Sequence, residues 1–323
     1  MAFEIYQKLL KIFKLCLRFL LILKKIRMKI FSTFILFIGL MHFLGAQEIS
    51  QKVIDWQGHR GARGLAPENA VPAFIKALSF SSITTLELDV VISADGKVVV
   101  SHEPWLNPKI CFDTNGKPIK GNEKINLYRM AYNEIKKCDC GSQGNPSFPE
   151  QKAEFAYKPL LSEVIKEVSR YCKDSKRPLP QFNIEIKSNP SSDGIFTPEV
   201  EVFADIVRKE IKKLKLEQNI CVQSFDPRAL RYLHDKEKEW VLAYLVEKAE
   251  DVQQQIRELG FKPTIYSPHF EKVSKAIVDD CHQLGMKIIP WTVNETAQME
   301  KLVKFGVDGI ITDYPNRIPL SSN

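Results

Sequence analysis

The sequence has no G-x-S-x-G elbow, no G-x-x-x-x-G-K-[ST] loop, no H-E-x-x-H and no G-x-G-x-x-G. Serine-hydrolase, P-loop, zincin and dinucleotide chemistries therefore have no motif to rest on. Glycine is sparse, 15 in 323 residues, and proline ordinary at 18, against 44% apolar and 26% charged residues. That balance excludes a collagen-like, low-complexity or disordered chain and requires a packed core. Cysteine pairs with zinc spacing are missing too: Cys138-x-Cys140 has one intervening residue rather than two to four, and no second pair lies near. No uncharged run reaches the ~20 residues that span a bilayer; Ile30 to Leu44 is about 15. Nor is the net charge of +7 spread along the chain, because residues 1–46 hold eight Lys/Arg against Glu4. Removing them from totals of 46 and 39 leaves 38 basic and 38 acidic residues. Bulk charge thus gives no support for a nucleic-acid partner.

From Met28 the order is Lys29, the uncharged run, the small residues Gly45 and Ala46, then Gln47, which is the order of a secretory signal peptide cleaved after Ala46. No Cys follows the run to accept a lipid. The expectation is a leader over 1–46 with translation starting at Met28, a mature chain over 47–323 exported to the periplasm or beyond, and no stable membrane span after processing. Residues 1–27 carry a second apolar stretch, Phe19 to Leu23, flanked by Lys and Arg; its alternative reading is a basic amphipathic helix at a membrane surface. Export suits a disulfide between Cys111 and either Cys138 or Cys140, stapling a long loop, while Cys221 in an apolar run reads as inert core.

The mature chain, about 277 residues, is close to the ~250 of an eight-stranded α/β barrel. Nine β-rich runs occur, at Val53–Gln57, Thr85–Ile92, Lys97–Ser101, Phe182–Ile186, Ile220–Gln223, Trp240–Leu245, Thr264–Tyr266, Lys287–Pro290 and Gly309–Ile311. Helical periods separate most of them, which predicts parallel strands with right-handed crossovers in a (β/α)8 TIM barrel, with an open doubly wound sheet as the alternative. Thr197-Pro198-Glu199 predicts a helix start, and Gly260, Gly285 and Gly306 predict helix ends. Residues 103–157, rich in Pro, Gly, Asn and Lys, are too many for an ordinary βα loop and read as an insertion after the second strand, shaping the substrate entrance.

Chemistry-bearing residues collect at strand ends. Gly58-His59-Arg60-Gly61 follows the first strand, and Pro67-Glu68-Asn69 opens the first helix. In Leu86-Glu87-Leu88-Asp89 the two acids share one strand face, so both carboxylates point the same way. Burying them is costly unless a hard cation relieves the repulsion, and Ca²⁺ or Mg²⁺ selects such oxygen ligands. Glu185 and Lys187 repeat the spacing on another strand, and His102 follows Val98–Ser101. Of the other histidines, His234 and His282 fall in helical stretches, and His269, near a strand end, has no assigned role.

Together the segments HRGARGLAPENAVPAF from His59, ELDVVISADGKVVVSHEP from Glu87, NIEIK from Asn183, QSFDP from Gln223, WTVN from Trp291 and VDGIITDYP from Val307 resemble the glycerophosphodiester phosphodiesterase family. The resemblance implies a (β/α)8 barrel hydrolysing a glycerophosphodiester to glycerol 3-phosphate and an alcohol. It implies Glu87, Asp89 and Glu185 as ligands of one divalent cation, Ca²⁺ or Mg²⁺, and His59 and His102 as the acid/base pair. Arg60 and Lys187 become phosphate contacts, Phe225 and Trp291 apolar walls, and Glu68 either completes the site or orients Arg60. Ala70 departs from the threonine common in the family, removing a helix cap rather than a catalytic group. Two rival readings stand beside this one: a phospholipase D-like enzyme or lyase acting on lysophospholipids, and an exported barrel that binds phosphodiesters without turnover.

Overall fold

The computed structural model describes residues 1, 7–11, 13–28, 53–247 and 251–319. The chain divides into two units, Met1–Lys52 and Val53–Asn323. In the first, residues 7–11 and 13–28 are helical with exposed side chains. Among the described residues no helix is long and apolar enough to cross a membrane. The predicted signal peptide falls on residues outside those described, apart from Met28.

In the second unit the strands are β1 (Asp55–Gly58), β2 (Ile83–Ile92), β3 (Val98–Val100), β4 (Trp105–Leu106), β5 (Ile125–Asn126), β6 (Gln181–Ile186), β7 (Ile220–Ser224), β8 (Val241–Val246), β9 (Ile265–Pro268), β10 (Lys287–Ile288) and β11 (Gly309–Thr312). The helices are α1 (Val71–Leu78), α2 (Tyr132–Ile135), α3 (Leu161–Asp174), α4 (Val200–Lys213), α5 (Pro227–Lys236), α6 (Val252–Leu259), α7 (Lys275–Gln283) and α8 (Thr296–Phe305). Eight strands pair in the order β10-β9-β8-β7-β6-β2-β1-β11, every pair parallel. Across the remaining seam, Asp308 N–H donates to Ile288 O at 2.9 Å and Ile311 N–H to Pro290 O at 3.0 Å. The architecture is the (β/α)8 TIM barrel rather than an open sheet.

Of the nine predicted runs, Lys97–Ser101 supplies no stave. Its β3 pairs antiparallel with β2, Val90 opposite Val100. The turn between them is closed by Gly96 N–H to Ser93 O at 3.0 Å, with Gly96 at φ 73°. A link this short permits a hairpin, whereas a parallel return needs a crossover of a dozen or more residues. The predicted helix start at Pro198 is also displaced. Helix α4 begins at Val200 with Glu199 at the N-cap and no side-chain cap, and the Thr197 hydroxyl donates instead to Ser192 O at 3.3 Å. Gly260 and Gly306 end their helices in the left-handed conformation as expected.

Alternation along β2 and β6 divides their side chains between two layers. Leu86, Leu88, Val90, Ile184 and Ile186 join the apolar layer under the helices. The opposite face points into the barrel, where Cys221, Ala243, Ile265, Ile289 and Ile311 form an apolar cluster, confirming Cys221 as core. The β1, β2 and β6 side of the interior is polar: Asn183 Nδ2 donates to Gln57 Oε1 at 2.8 Å and to Gln223 Oε1 at 3.0 Å. The barrel thus has a greasy half and a hydrogen-bonded half, and the second half carries the acids.

The insertion has its own core, with Leu106, Ile110, Leu127, Tyr132 and Ile135 packed on Val91 and Val99. The disulfide joins Cys111 to Cys140, not Cys138, which is buried and free. A bridge closing a loop of this length stabilises by ~3.5 kcal/mol in the loop-entropy account.

Candidate active site

At the C-terminal end of β1 the chain turns sharply. Arg60 sits at φ 49° and Gly61 at φ 84°. A Cβ on Gly61 would lie 2.5 Å from the backbone of Ala73, so only glycine lets the turn pack against α1. This places the Arg60 N–H 2.8 Å from Glu87 Oε2. The Arg60 guanidinium turns to the acids: Nη1 donates to Glu68 Oε1 at 2.9 Å and Nε stands 3.3 Å from Asp89 Oδ2. Glu68 thus lies against the Arg60 guanidinium.

Register brings the acids together. In the β2–β6 pairing Asp89 lies opposite Glu185. One oxygen from each of Glu87, Asp89 and Glu185 lies within 4.8 Å of the others, and all three residues are buried. Burial and the charges of Asp89 and Glu185 push the Glu87 carboxyl well up. Burial and Asp89 also raise Glu185, against the opposing pull of Lys187. Burial would raise Asp89 too, but Arg60, His102 and Lys187 outweigh it and hold it down. Lys187 Nζ donates to Glu185 Oε1 at 2.7 Å and lies 3.7 Å from Asp89 Oδ1. That Oδ1 is buried without a hydrogen-bond partner. Three buried carboxylates with one orphaned oxygen among them fit a hard divalent cation.

A cavity of about 170 Å³ beside this cluster is lined by His59, Arg60, Glu87, His102, Glu185 and Lys187, with Phe225 and Trp291 on its apolar side. All the sequence-predicted residues therefore meet there, Asp89 and Glu68 directly behind. Trp291 is fixed by its indole N–H donating to Ser267 O at 2.9 Å, and its ring meets Phe225 edge-on at 5.3 Å. His269 meets the same tryptophan edge-on at 5.3 Å. His282 pairs with Asp308, and His234 stacks on Phe261. His102, just before the insertion, lines the cavity, and no residue of 103–157 is among its lining.

Several residues escaped the sequence reading. Asp313 Oδ1 lies 2.7 Å from His59 Nδ1. Arg63 grips both Asp313 oxygens, at 2.8 and 3.1 Å, and Asn294 Nδ2 donates to Oδ2 at 2.8 Å. A carboxylate can only accept, so the His59 proton sits on Nδ1 and the Nε2 lone pair is free. Burial and the Arg63 charge pull His59 down to about 4, against the attraction of Asp313, which leaves the imidazole neutral at pH 7. Burial would raise Asp313, but His59 and Arg63 hold it well below the usual carboxylate range. His102 repeats the arrangement with Glu103, Nδ1 to Oε1 at 3.0 Å. Asn69 Nδ2 donates to Asp89 at 2.8 Å and Gln223 Nε2 to Glu87 at 2.9 Å. A legible signal existed for Asp313, an acid just past the last strand, where barrel active sites lie.

The whole second unit has known counterparts. Residues 59–317 match the glycerophosphoryl diester phosphodiesterase family. A glycerophosphodiester phosphodiesterase of Bacillus altitudinis is 31% identical over 264 residues, 80% of this chain and 94% of that protein. A glycerophosphoryl diester phosphodiesterase structure from Silicibacter pomeroyi superposes with a TM-score of 0.72 at 28% identity, covering 82% of this chain and 92% of that one. An Oleispira antarctica phosphodiesterase, solved with sn-glycerol-3-phosphate as product, shares the fold at a TM-score of 0.64 and 22% identity, covering 84% and 96%. This barrel therefore belongs to the glycerophosphoryl diester phosphodiesterase family and is a phosphoric diester hydrolase.

Proposed function

We propose that the chain hydrolyses glycerophosphodiesters to glycerol 3-phosphate and an alcohol, with a divalent cation held by Glu87, Asp89 and Glu185. The observation that carries this is the convergence of three buried acids beside one cavity that also presents both histidines. The bound cation would supply positive charge to the phosphate oxygens as negative charge builds at phosphorus. Lys187 and Arg60, both lining the cavity, contact the phosphate, with Arg60 held by Glu68. His59, neutral with a free Nε2, accepts the proton of the nucleophile, and His102 gives one to the leaving alkoxide. Phe225 and Trp291 form a wall suited to the carbon skeleton of the glycerol or the alcohol.

The deciding assay follows glycerol 3-phosphate released from glycerophosphocholine after chelation and again after adding Ca²⁺ or Mg²⁺. Activity that disappears and returns supports the proposal. No release under either condition, with turnover of lysophosphatidylcholine instead, would move the substrate to lysophospholipids.

Cation binding also has a thermal signature. Glu87 and Glu185 have raised pKa values, so the folded apoprotein binds more protons than the unfolded chain above the ordinary glutamate value of 4.5. Their contribution to stability is present below that pH and is lost as pH rises through the folded values. A cation removes this penalty, so the gain in melting temperature on adding it should grow as pH rises above about 4.5. At a concentration near 100 Kd the gain corresponds to about 2.7 kcal/mol. Differential scanning fluorimetry across pH, with and without chelator, measures it; a pH-independent gain contradicts the acidic site.

We propose export as well, with the leader removed after Ala46. The Cys111–Cys140 disulfide supports an oxidising compartment. Mass spectrometry of the protein from its native cells should find an N-terminus at Gln47, and a tryptic peptide preceding Met28 would refute the start at that methionine.

A further inference from the structure

No residue of the insertion lines the cavity, yet its last stretch grips the loop that carries half of the site. Cys140 N–H donates to Ala156 O at 2.6 Å, so residues 141–155 form a loop rooted at the disulfide. Two turns shape it, Phe148 N–H donating to Asn145 O and Gln151 N–H to Phe148 O, each at 2.9 Å. It lies on the segment between β1 and α1: Gln151 Nε2 donates to Arg63 O at 2.7 Å and Lys152 N–H to Leu65 O at 3.0 Å. Arg317 Nη2 donates to Glu150 Oε1 at 2.6 Å and ties the same loop to the segment after β11. Between these anchors stands the Phe148 ring. The Arg63 guanidinium carbon lies over it, 4.5 Å from its centre, and the Tyr314 ring is 6.3 Å away, centre to centre.

Arg63 and Tyr314 flank the seam at which the barrel closes. Gly64 N–H donates to Asp313 O at 3.0 Å, and a Cβ on Gly64 would lie 2.4 Å from the Tyr314 ring, so the segments after β1 and β11 touch there. Arg63 spends Nε and Nη2 on the two oxygens of Asp313, whose Oδ1 also meets His59 Nδ1. That fork uses in-plane N–H groups and leaves the guanidinium face to an aromatic ring. The Arg63 side chain is only 16% exposed, which strengthens the attraction of a cation for the ring's negative face. We propose that Phe148 is a positioning residue: its ring holds the Arg63 guanidinium on Asp313 and, through Asp313, sets the His59 imidazole, so the insertion supports the reaction without lining the cavity. Without the ring Arg63 swings more freely, and Asp313 keeps only Asn294 to steady Oδ2. The loss is therefore partial, and it falls on the rate rather than on substrate binding.

This inference rests on the role proposed for His59, and a readout that needs no turnover keeps the two apart. In the full chain labelled with ¹⁵N-arginine, the Phe148 ring current should displace the Arg63 Nε–H signal. Phe148→Leu keeps an apolar side chain but no ring face; it should remove that displacement and speed exchange of the Nε proton with water at least about threefold. With glycerophosphocholine as substrate, Phe148→Leu should lower kcat about fivefold with KM within about twofold, and Phe148→Tyr should restore most of the rate. On an Arg63→Leu background the further change Phe148→Leu should have no effect, because no guanidinium remains to hold. An equal loss in both backgrounds, or an unaltered Nε exchange in Phe148→Leu, would assign Phe148 to packing alone and overturn the proposal. Faster exchange with an unchanged kcat would overturn it as well, since the hold on Arg63 would then not reach His59. A protein that turns over no glycerophosphodiester would reject the proposed function instead; the same comparison of kcat, made on lysophosphatidylcholine, then decides the part played by Phe148.

Discussion

Glu87→Gln is expected to abolish phosphodiester hydrolysis, at least ~10³-fold, while leaving the chelated protein no less stable than before. The two effects have different origins. Activity falls because one of three ligands loses the charge that a hard cation requires. Stability holds because Glu87 is buried against Asp89 and Glu185, so its ionised form is unfavourable in the absence of a cation. A neutral amide removes that repulsion and keeps one of the two hydrogen bonds, from the Arg60 N–H or from Gln223, that the carboxylate accepts. Glycerol 3-phosphate release and melting curves with and without Mg²⁺ test both halves. The variant should also lose the cation-induced rise in melting temperature. Wild-type-like turnover in Glu87→Ala after exhaustive chelation would defeat the assignment of the site.

His59→Ala should lower kcat by about 10²–10⁴-fold with little change in cation affinity, and Asp313→Asn should reproduce much of that loss. The asparagine is close to the aspartate in size, but it no longer attracts the Nδ1 proton, and its amide can donate to Nδ1 and drive the proton to Nε2. Arg63 and Asn294 would at the same time lose the carboxylate that they brace. Because Asp313 acts through His59, the double variant should be little worse than His59→Ala alone. Additive losses, or an unchanged rate in Asp313→Asn, would separate the aspartate from the reaction.

How far the chain could be read in advance depended on distance along it. Glu87 and Asp89, or Glu185 and Lys187, are two positions apart on a strand, and strand geometry alone puts each pair on one face. The apolar residues between them show which face is the outer one. Helix-ending glycines were equally readable because the left-handed conformation is a local demand. The exceptions were features in which local signals compete. The run at Lys97–Ser101 has strand composition whether it forms a stave or a hairpin, and only the four-residue turn at Ser93–Gly96 decides. The insertion's composition gave no hint of a core of its own, whereas its scattered Leu, Ile and Tyr form one through contacts far apart in sequence.

Residue chemistry and short spacings sufficed to name the acids, the histidines and the bases, because each lies at a strand end and barrel strands deliver their ends to one rim. What stands behind each histidine could not be named that way. Asp313 reaches His59 across 254 positions because β11 closes the barrel against β1. Cys140 rather than Cys138 meets Cys111 for the same kind of reason. Pairings of that sort are set by strand register and by which segments pack side by side, and neither leaves a mark in the order of neighbouring residues.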